Sequence, residues 1–408
     1  MSKSIFSDKT SKIDAIEKQI DTITKLIDSG YTDDKIRSLT KISDPEFEEL
    51  SDIAKARIKN RKLKKTAKNL FFRQSDLSFA TPEIVADYRA ERLAKSSKLK
   101  SIADLGCGVG LQAMGFAARF SKVYAVEIDD RKLAYARKNA EVAGIKNIEF
   151  IEGDVLDKKI VKELCDEEVK ADVIFCDTER PKSEAERNFE GIKPDIFQVI
   201  KIYSPITGDI AIEIPPQIDL SKISKLDCEK EFISLNGELN RLTLYFGKLK
   251  SCGTSVVALP ENEVISKEDS SKDRIKREKQ KEQKNSDLKD YLYEASTAIV
   301  KAGVVHELAE MTKAGLYHQD NKLCLLTSDK NIGSAFFRNS FRVLAVCKND
   351  FDSIMKDMVE IGAGQVVLRA KLAPEDYWKE RKKYENGLKG KKIVHLFLLE
   401  NAIICEKI

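Results

Sequence analysis

The stretch Ile102-Ala103-Asp104-Leu105-Gly106-Cys107-Gly108-Val109-Gly110 points to the fold. An apolar run ends, three glycines follow at alternate positions, and a helical pattern begins at Leu111. A strand, a glycine turn and a helix in that order leave bare backbone at the carboxyl end of a strand. Ligands of open α/β sheets sit there. The dinucleotide fingerprint G-x-G-x-x-G needs a glycine at the sixth position. Here the third glycine comes one residue early, at Gly110, and Leu111 occupies that place. Asp104, just ahead of the glycines, would also repel a pyrophosphate. The spacing therefore disfavours a nicotinamide oxidoreductase, and the acid suits a positively charged ligand with a free amine.

Around this turn, short apolar runs alternate with helical stretches. The runs are Ile102 to Leu105, Val123 to Glu127, Ile148 to Ile151, Val173 to Cys176, Ile210 to Ile214, Arg241 to Phe246 and Ser255 to Leu259. Helical segments such as Leu111 to Phe120 and Asp130 to Ala143 separate the early ones. The alternation predicts a parallel sheet with helices on both faces. The last two runs lack a long helix between them, which allows a hairpin at the sheet edge.

Acids recur at the predicted strand ends. Glu127 follows Gly110 by seventeen residues and can accept both hydroxyls of a ribose. Asp154 is placed to accept from an adenine amine, with the Val155 backbone N–H beside it. S-adenosylmethionine carries a sulfonium, an ammonium, a ribose and an adenine, and so fits this series of groups. The fourth strand end reads Phe175-Cys176-Asp177-Thr178-Glu179-Arg180-Pro181. Asp177 closes this apolar run. The planar guanidinium of Arg180 can stack on a base. Pro215 and Pro216, after the fifth strand, read as scaffold.

The flanks have a different character. Ile13, Ile16, Ile20, Ile23 and Ile27 line one face of a helix that Gly30 ends. This stripe is core or a short partner seam. Asp44-Pro45 and Thr81-Pro82-Glu83 are helix starts. From Ala54 to Arg73 there are nine basic residues and no acidic one (Lys55, Arg57, Lys59, Arg61, Lys62, Lys64, Lys65, Lys68, Arg73). That excess reads either as a footprint for a phosphate backbone or as a solvated helix face. Residues 260–290 are charge-dense and read as a linker or exposed helix. A second α/β unit is expected from Tyr291 to Ile408. Its strands lie near Leu323 to Leu326, Arg342 to Cys347, Gln365 to Leu368, Ile393 to Leu399 and Ala402 to Cys405. Its helices lie near Ser296 to Thr312, Phe351 to Glu360 and Pro374 to Tyr384.

Composition sets outer limits. The chain has 408 residues, 42% hydrophobic and 34% charged, so it can bury a core and is neither collagen nor wholly disordered. The longest apolar runs are too short to cross a bilayer, and the polar start Met1-Ser2-Lys3-Ser4 has no secretory pattern. Eight Cys without a C-x-x-C pair read as reduced thiols of a cytoplasmic chain. Three scattered His (His306, His318, His395) lack the spacing of a His-based metal centre, and no metal is expected.

These residues resemble the class I S-adenosylmethionine-dependent methyltransferases: Asp104 to Gly108 is similar to their first motif, Glu127 to their second, Asp154 to their third. Leu70 to Gln74 and Ser78 to Glu83 resemble the segment ahead of the fold in the RNA cap guanine-N2 methyltransferases (trimethylguanosine synthase-like). They also resemble the corresponding segment of methyltransferases with a THUMP-like C-terminal domain. Ala298 to Val304, Leu325 to Asp329, Phe336 to Arg338 and Phe341 to Val343 are similar to that THUMP-like domain. The resemblance implies four segments: a helical N-terminal region over 1–80, a doubly wound Rossmann-like methyltransferase sheet over 81–259, a charged linker over 260–290, and a smaller α/β domain over 291–408. It implies S-adenosylmethionine as cofactor, held by Thr81, Asp104, Gly106, Gly108, Glu127, Asp154 and Val155. Asp177 and Arg180 would serve the methyl acceptor. The implied substrate is RNA, tRNA or rRNA, methylated on a base amine such as guanine N2. Two alternatives stay open: a protein or small-molecule substrate, and a module that binds cofactor and RNA without turnover.

Overall fold

The computed structural model describes residues 13–63, 69–95, 99–166, 169–179, 191–268, 286–320, 323–373 and 375–408. The chain divides into two compact units: residues 1–229 with 242–251, and residues 230–241 with 252–408.

The first unit opens with helices α1 (Ile13–Asp28), α2 (Asp33–Thr40), α3 (Asp44–Leu63) and α4 (Gln74–Phe79). The isoleucine stripe is core. Ile16, Ile20 and Ile23 are buried against Phe47, Leu50, Phe71 and Phe72, and the same cluster reaches Val109 and Tyr135. Each such side chain contributes about 1.5–3 kcal/mol on burial. Helix α5 (Glu83–Leu93) follows, capped by the backbone of Pro82 without a side-chain bond.

Then the alternating pattern begins: β1 (Ser101–Leu105), α6 (Leu111–Ala117), β2 (Lys122–Glu127), α7 (Asp130–Val142), β3 (Ile148–Glu152), α8 (Lys158–Cys165), β4 (Val173–Asp177), α9 (Ile196–Tyr203) and β5 (Ile210–Ile214). These strands lie parallel in the order β3-β2-β1-β4-β5. The order reverses between β1 and β4, and a crevice opens outside the strand ends at such a switch point. The register levels these ends: Leu105 pairs with Val126 on one side and Cys176 on the other, and Asp177 pairs with Glu213. Residues of α5, α6 and α7 (Ala90, Leu93, Phe116, Leu133) share one core cluster with Phe175 and Ile102 of the sheet.

Beyond β5 come β6 (Glu229–Leu235), β7 (Glu238–Tyr245), β8 (Thr254–Leu259) and β9 (Glu263–Lys267). Leu242 to Tyr245 of β7 lie antiparallel on β5. The hairpin expected between the last two apolar runs does not form. β8 instead takes β6 as a parallel neighbour on one side and β9 as an antiparallel one on the other. Residues 263–267, inside the stretch read as a charged linker, are therefore strand.

The second unit continues with β10 (Tyr291–Ala295), α10 (Thr297–Ala302), α11 (Val305–Thr312), β11 (Gly315–Gln319), β12 (Cys324–Ser328), β13 (Phe337–Lys348), α12 (Phe351–Ile361), β14 (Ala363–Arg369), α13 (Tyr377–Glu385), β15 (Lys392–Leu398) and β16 (Asn401–Lys407). Its sheet runs β11-β12-β10-β13-β16-β15-β14, antiparallel except for β14 with β15. The single helix expected over Ser296 to Thr312 is two, because Gly303 turns left-handed and closes α10 on the Ile299 and Val300 carbonyls. All eight Cys are free thiols. Among the described residues no helix is long and apolar enough to cross a membrane. Nor does any group of His, Cys, Asp and Glu there have a metal-holding arrangement.

Candidate functional site

The glycine turn after β1 takes a path that side chains would block. Gly106 and Gly110 have φ of +84° and +87°. A Cβ on Gly106 would lie 3.1 Å from the Asp177 carbonyl oxygen, and one on Gly110 would lie 3.0 Å from Ala136 Cβ. The turn is pinned on β2, because the Gly106 and Cys107 N–H groups both donate to the Val126 carbonyl at 2.9 Å. Buried Asn139 of α7 fixes it from the other side. Its amide donates to the Val109 and Phe71 carbonyls at 2.9 and 3.0 Å, and its oxygen accepts from the Phe71 N–H at 2.7 Å. One side chain thus ties the N-terminal helical segment to the ligand turn.

At this turn lies a cavity of about 500 Å³, including space open to solvent, whose wall includes Thr81, Asp104, Gly106, Gly108 and Asp177. Asp104 is fully buried, and neither carboxylate oxygen has a hydrogen-bond partner. Burial pushes its carboxyl up to about 7, and the charges of Glu127 and Glu213 add to the rise while Arg89 opposes it. A buried carboxylate without partners costs stability. A cationic amine placed beside it would relieve that cost. The site thus fits the ammonium of S-adenosylmethionine, and the bare backbone of Gly106 and Gly108 lets such a ligand approach.

A charged network without a sequence signature adjoins the cavity through Gln112. Arg89, fully buried on α5, forms an ion pair with Glu213 at the end of β5, donates to Gln112 at 2.6 Å, and lies over the Phe175 ring. Gln112 in turn donates to the Ala86 carbonyl at 3.3 Å. Arg89 sits mid-helix with no motif around it, so only the fold brings it to Glu213. The cavity wall also includes Phe79, 41% exposed, and the ion pair Lys132–Glu179 at 3.2 Å.

The other sequence candidates take different places. Glu127 is nearly buried at the end of β2, and its carboxylate accepts from the Gly108 N–H at 2.8 Å and the Asp129 N–H at 3.0 Å. It adjoins the glycine turn and is outside the cavity wall. Asp154 and Val155 follow β3, on the far side of β2. Asp154 is exposed and accepts from the Leu156 N–H at 2.9 Å, and the Val155 carbonyl accepts from the Tyr203 hydroxyl at 2.6 Å. Asp177 ends β4, half-buried. Thr178 donates its hydroxyl to the Glu213 carbonyl at 2.7 Å, and Glu179 bridges to Lys193 through both backbone groups. Arg180 and Pro181 lie outside the described residues. Thr81 is buried in the wall and is not the cap of α5.

Four cations of the basic run are engaged by acids of the same unit. Arg57 is buried, donates to Glu17 at 2.7 and 2.8 Å, and also reaches the Asn69 and Leu70 carbonyls. Lys55 pairs with Asp33 at 2.5 Å, Arg61 with Asp28 at 2.8 Å, and Arg73 approaches Asp52 at 3.9 Å. The acids come from α1, α2 and the first half of α3, out of sight of a local charge count. Lys59 is exposed, while Lys64, Lys65 and Lys68 lie outside the described residues.

Known proteins agree with this geometry. Residues 99–249 match the family described as RNA cap guanine-N2 methyltransferase. A Clostridium tetani protein named as an uncharacterized RNA methyltransferase is 34% identical over 123 residues, 30% of this chain and 23% of that one. One of the same description from Caldanaerobacter subterraneus is 34% identical over 134 residues, 31% of this chain and 29% of that one. The chain thus spans less than a third of the length of these relatives. The crystal structure of a protein proposed to be a methyltransferase, from Porphyromonas gingivalis W83, superposes with a TM-score of 0.72 at 18% identity. It covers 96% of this chain and 98% of its own, which establishes a shared fold. In sequence match, strand order and glycine turn alike, residues 99–249 are a class I S-adenosylmethionine-dependent methyltransferase domain.

Proposed function

We propose that the protein transfers a methyl group from S-adenosylmethionine to RNA, on a base exocyclic amine such as guanine N2. One observation carries the reading: Asp104 is a buried carboxylate without a partner, in a cavity wall where the strand order of a parallel sheet reverses. The matched family's description and the names of the RNA methyltransferase relatives support the substrate class.

Bound S-adenosylmethionine supplies a methyl group on a positively charged sulfur. The chain's own residues hold and align the reactants. Asp104 takes the ammonium, Thr81, Gly106 and Gly108 line its seat, Glu127 serves the ribose hydroxyls, and Asp154 with the Val155 N–H serves the adenine. A base amine is a poor nucleophile because its lone pair is delocalised into the ring. Asp177 accepts an N–H from that amine and turns the lone pair into the cavity. The gain comes from positioning, and the proton that the methylated nitrogen sheds is released to solvent. Arg180 is assigned to stack on the base, which must leave its helix to enter. We assign residues 291–408 to a THUMP-like domain, the substrate to tRNA or rRNA, and the site of action to the cytoplasm.

Asp177→Ala tests the role. Methyl transfer should fall at least about a hundredfold, the scale of a lost positioning contact, while calorimetric S-adenosylhomocysteine binding is retained. Full transfer by this variant would overturn the assignment. The internal pairing of the basic run favours one alternative, a protein or small-molecule substrate. RNA binding would weaken steeply with salt, and binding of a small neutral substrate would not.

A further inference from the structure

We propose that the surface of the second unit formed by α13 and the loop after it binds single-stranded RNA. The Trp378 indole would stack on a base, and Lys379, Lys382, Lys389, Lys391 and Lys392 would face phosphates. The inference rests on RNA being the substrate class. It adds a surface remote in sequence from the glycine turn and its strand ends.

Helix α13 reads Tyr377-Trp378-Lys379-Glu380-Arg381-Lys382-Lys383-Tyr384-Glu385. Its apolar anchors are Tyr384, buried, and Tyr377, half-buried in the same core cluster. Trp378 is on the other side, 62% exposed. A large apolar side chain left in water is the informative exception to burial. The ring is nevertheless held in place: the Arg381 guanidinium lies 5.2 Å from its centroid, and Tyr377 meets it edge-on at 5.5 Å. Arg381 is itself fixed, since it donates to Glu385, which also accepts from the Val366 N–H at 3.0 Å. The acid at the end of the helix is therefore engaged inward.

The lysines remain. Among the described residues Lys379, Lys382, Lys389, Lys391 and Lys392 have no ion-pair partner, and all five are exposed. Basic residues in the last turn of a helix complement its dipole. That accounts for Lys382 and Lys383 but not for Lys379, which sits in the first turn, where the dipole disfavours it. The loop that carries Lys389 and Lys391, and leads to Lys392 at the start of β15, is not slack. The Gly390 N–H donates to the Ala363 carbonyl at 3.0 Å, and the Lys392 N–H donates to the Gly362 carbonyl at 3.2 Å. A Cβ on Gly390 would stand 1.9 Å from the Gly362 oxygen, so only glycine permits this close approach. A propped, exposed indole at the start of α13, unpaired lysines along that helix and a fixed loop of cations after it match the plan of single-strand binding: charge along the backbone and a ring for a base. A membrane surface is the poorer match, since an interfacial helix needs a whole apolar face. Here both tyrosines are used by the core and one apolar ring is left.

Trp378 is the only tryptophan of the chain, so its emission reports on this surface alone. Titration of the full-length protein with short oligouridylate should quench that emission to saturation, at concentrations that match binding followed by anisotropy of a labelled oligomer. Trp378→Ala should weaken binding about tenfold, the scale of one lost stacking contact, and Trp378→Phe should restore most of it. Lys382→Ala with Lys391→Ala should lower the slope of log affinity against log salt by about 1.4, at about 0.7 per phosphate. Thermal stability should not change, since these side chains are exposed. An unchanged emission at saturating RNA would overturn the proposal. So would a response to phosphatidylserine vesicles with none to oligouridylate. RNA bound with a silent indole would refute this surface and leave the transferase reading intact. A quenched indole in a protein that transfers no methyl group to RNA would do the reverse.

Discussion

Asp104→Asn should make the free protein more stable and the liganded one weaker. The carboxyl moves from 3.8 to about 7 on folding, because it is buried. The folded chain therefore holds one more proton than the unfolded chain between these values, so stability falls as pH rises through this window and levels off above it. The full displacement corresponds to about 4 kcal/mol of destabilisation above pH 7. Asparagine removes the charge at nearly the same volume. Its amide would be left unsatisfied in turn, at about 1–3 kcal/mol. The variant should thus gain about 1–3 kcal/mol over the parent at pH 8 in urea denaturation, by the difference of these two effects. The gain should vanish, or turn into a loss, near pH 4. S-adenosylhomocysteine keeps the ammonium and is the appropriate probe for calorimetry. Loss of one partner of a buried charge pair costs about 2–5 kcal/mol, so its affinity should fall at least about thirtyfold. In the parent, affinity should weaken about tenfold per pH unit below 7, since Asp104 must release its proton to pair. A variant less stable than the parent at pH 8, or one that binds as tightly, would refute the idea that this carboxylate awaits a cation.

Asn139→Ala should cost about 3 kcal/mol in denaturant unfolding, because it leaves the buried Phe71 N–H and Val109 carbonyl without their partner. A loss below about 1 kcal/mol would mean the N-terminal segment is not tied to the turn through this residue. Gly110→Ala should lose about 1–2 kcal/mol from the left-handed backbone alone, with more from contact with Ala136, and should weaken S-adenosylhomocysteine binding in calorimetry. Arg57→Ala should destabilise the fold by about 3–5 kcal/mol by stranding Glu17. The salt slope of RNA binding should stay unchanged, whereas a drop would return Arg57 to the phosphate-binding set.

The methyltransferase sheet was legible because its signals are local. A glycine turn and an acid at each strand end survive in any context, and both lie within a few residues of the element they mark. The ends of β1, β2 and β5 fall where the apolar runs stop. β6 was not legible because Glu229 occupies a fully buried position, with Arg92 and Ser251 satisfying its carboxylate. That breaks the apolar alternation a strand is read by. β9 hid in the charged stretch after Pro260, where only Val264 and Ile265 are apolar. The basic run misled for the same kind of reason. A window from residue 54 to 73 shows the cations of α3, but Glu17, Asp28 and Asp33 come from helices that only folding brings alongside. In the site, Asp104 could be named from its place before the glycines. Arg89 could not, since it meets Glu213 only across 124 residues of chain, nor could Gln112, which joins the network through Arg89.

The most direct measurement is methyl transfer itself. Full-length protein is incubated with methyl-labelled S-adenosylmethionine and RNA from cells lacking the protein, and the RNA is digested to nucleosides. The account predicts label in one modified base, eluting with N2-methylated guanosine. Label that stays out of RNA and enters protein or small molecules would contradict it.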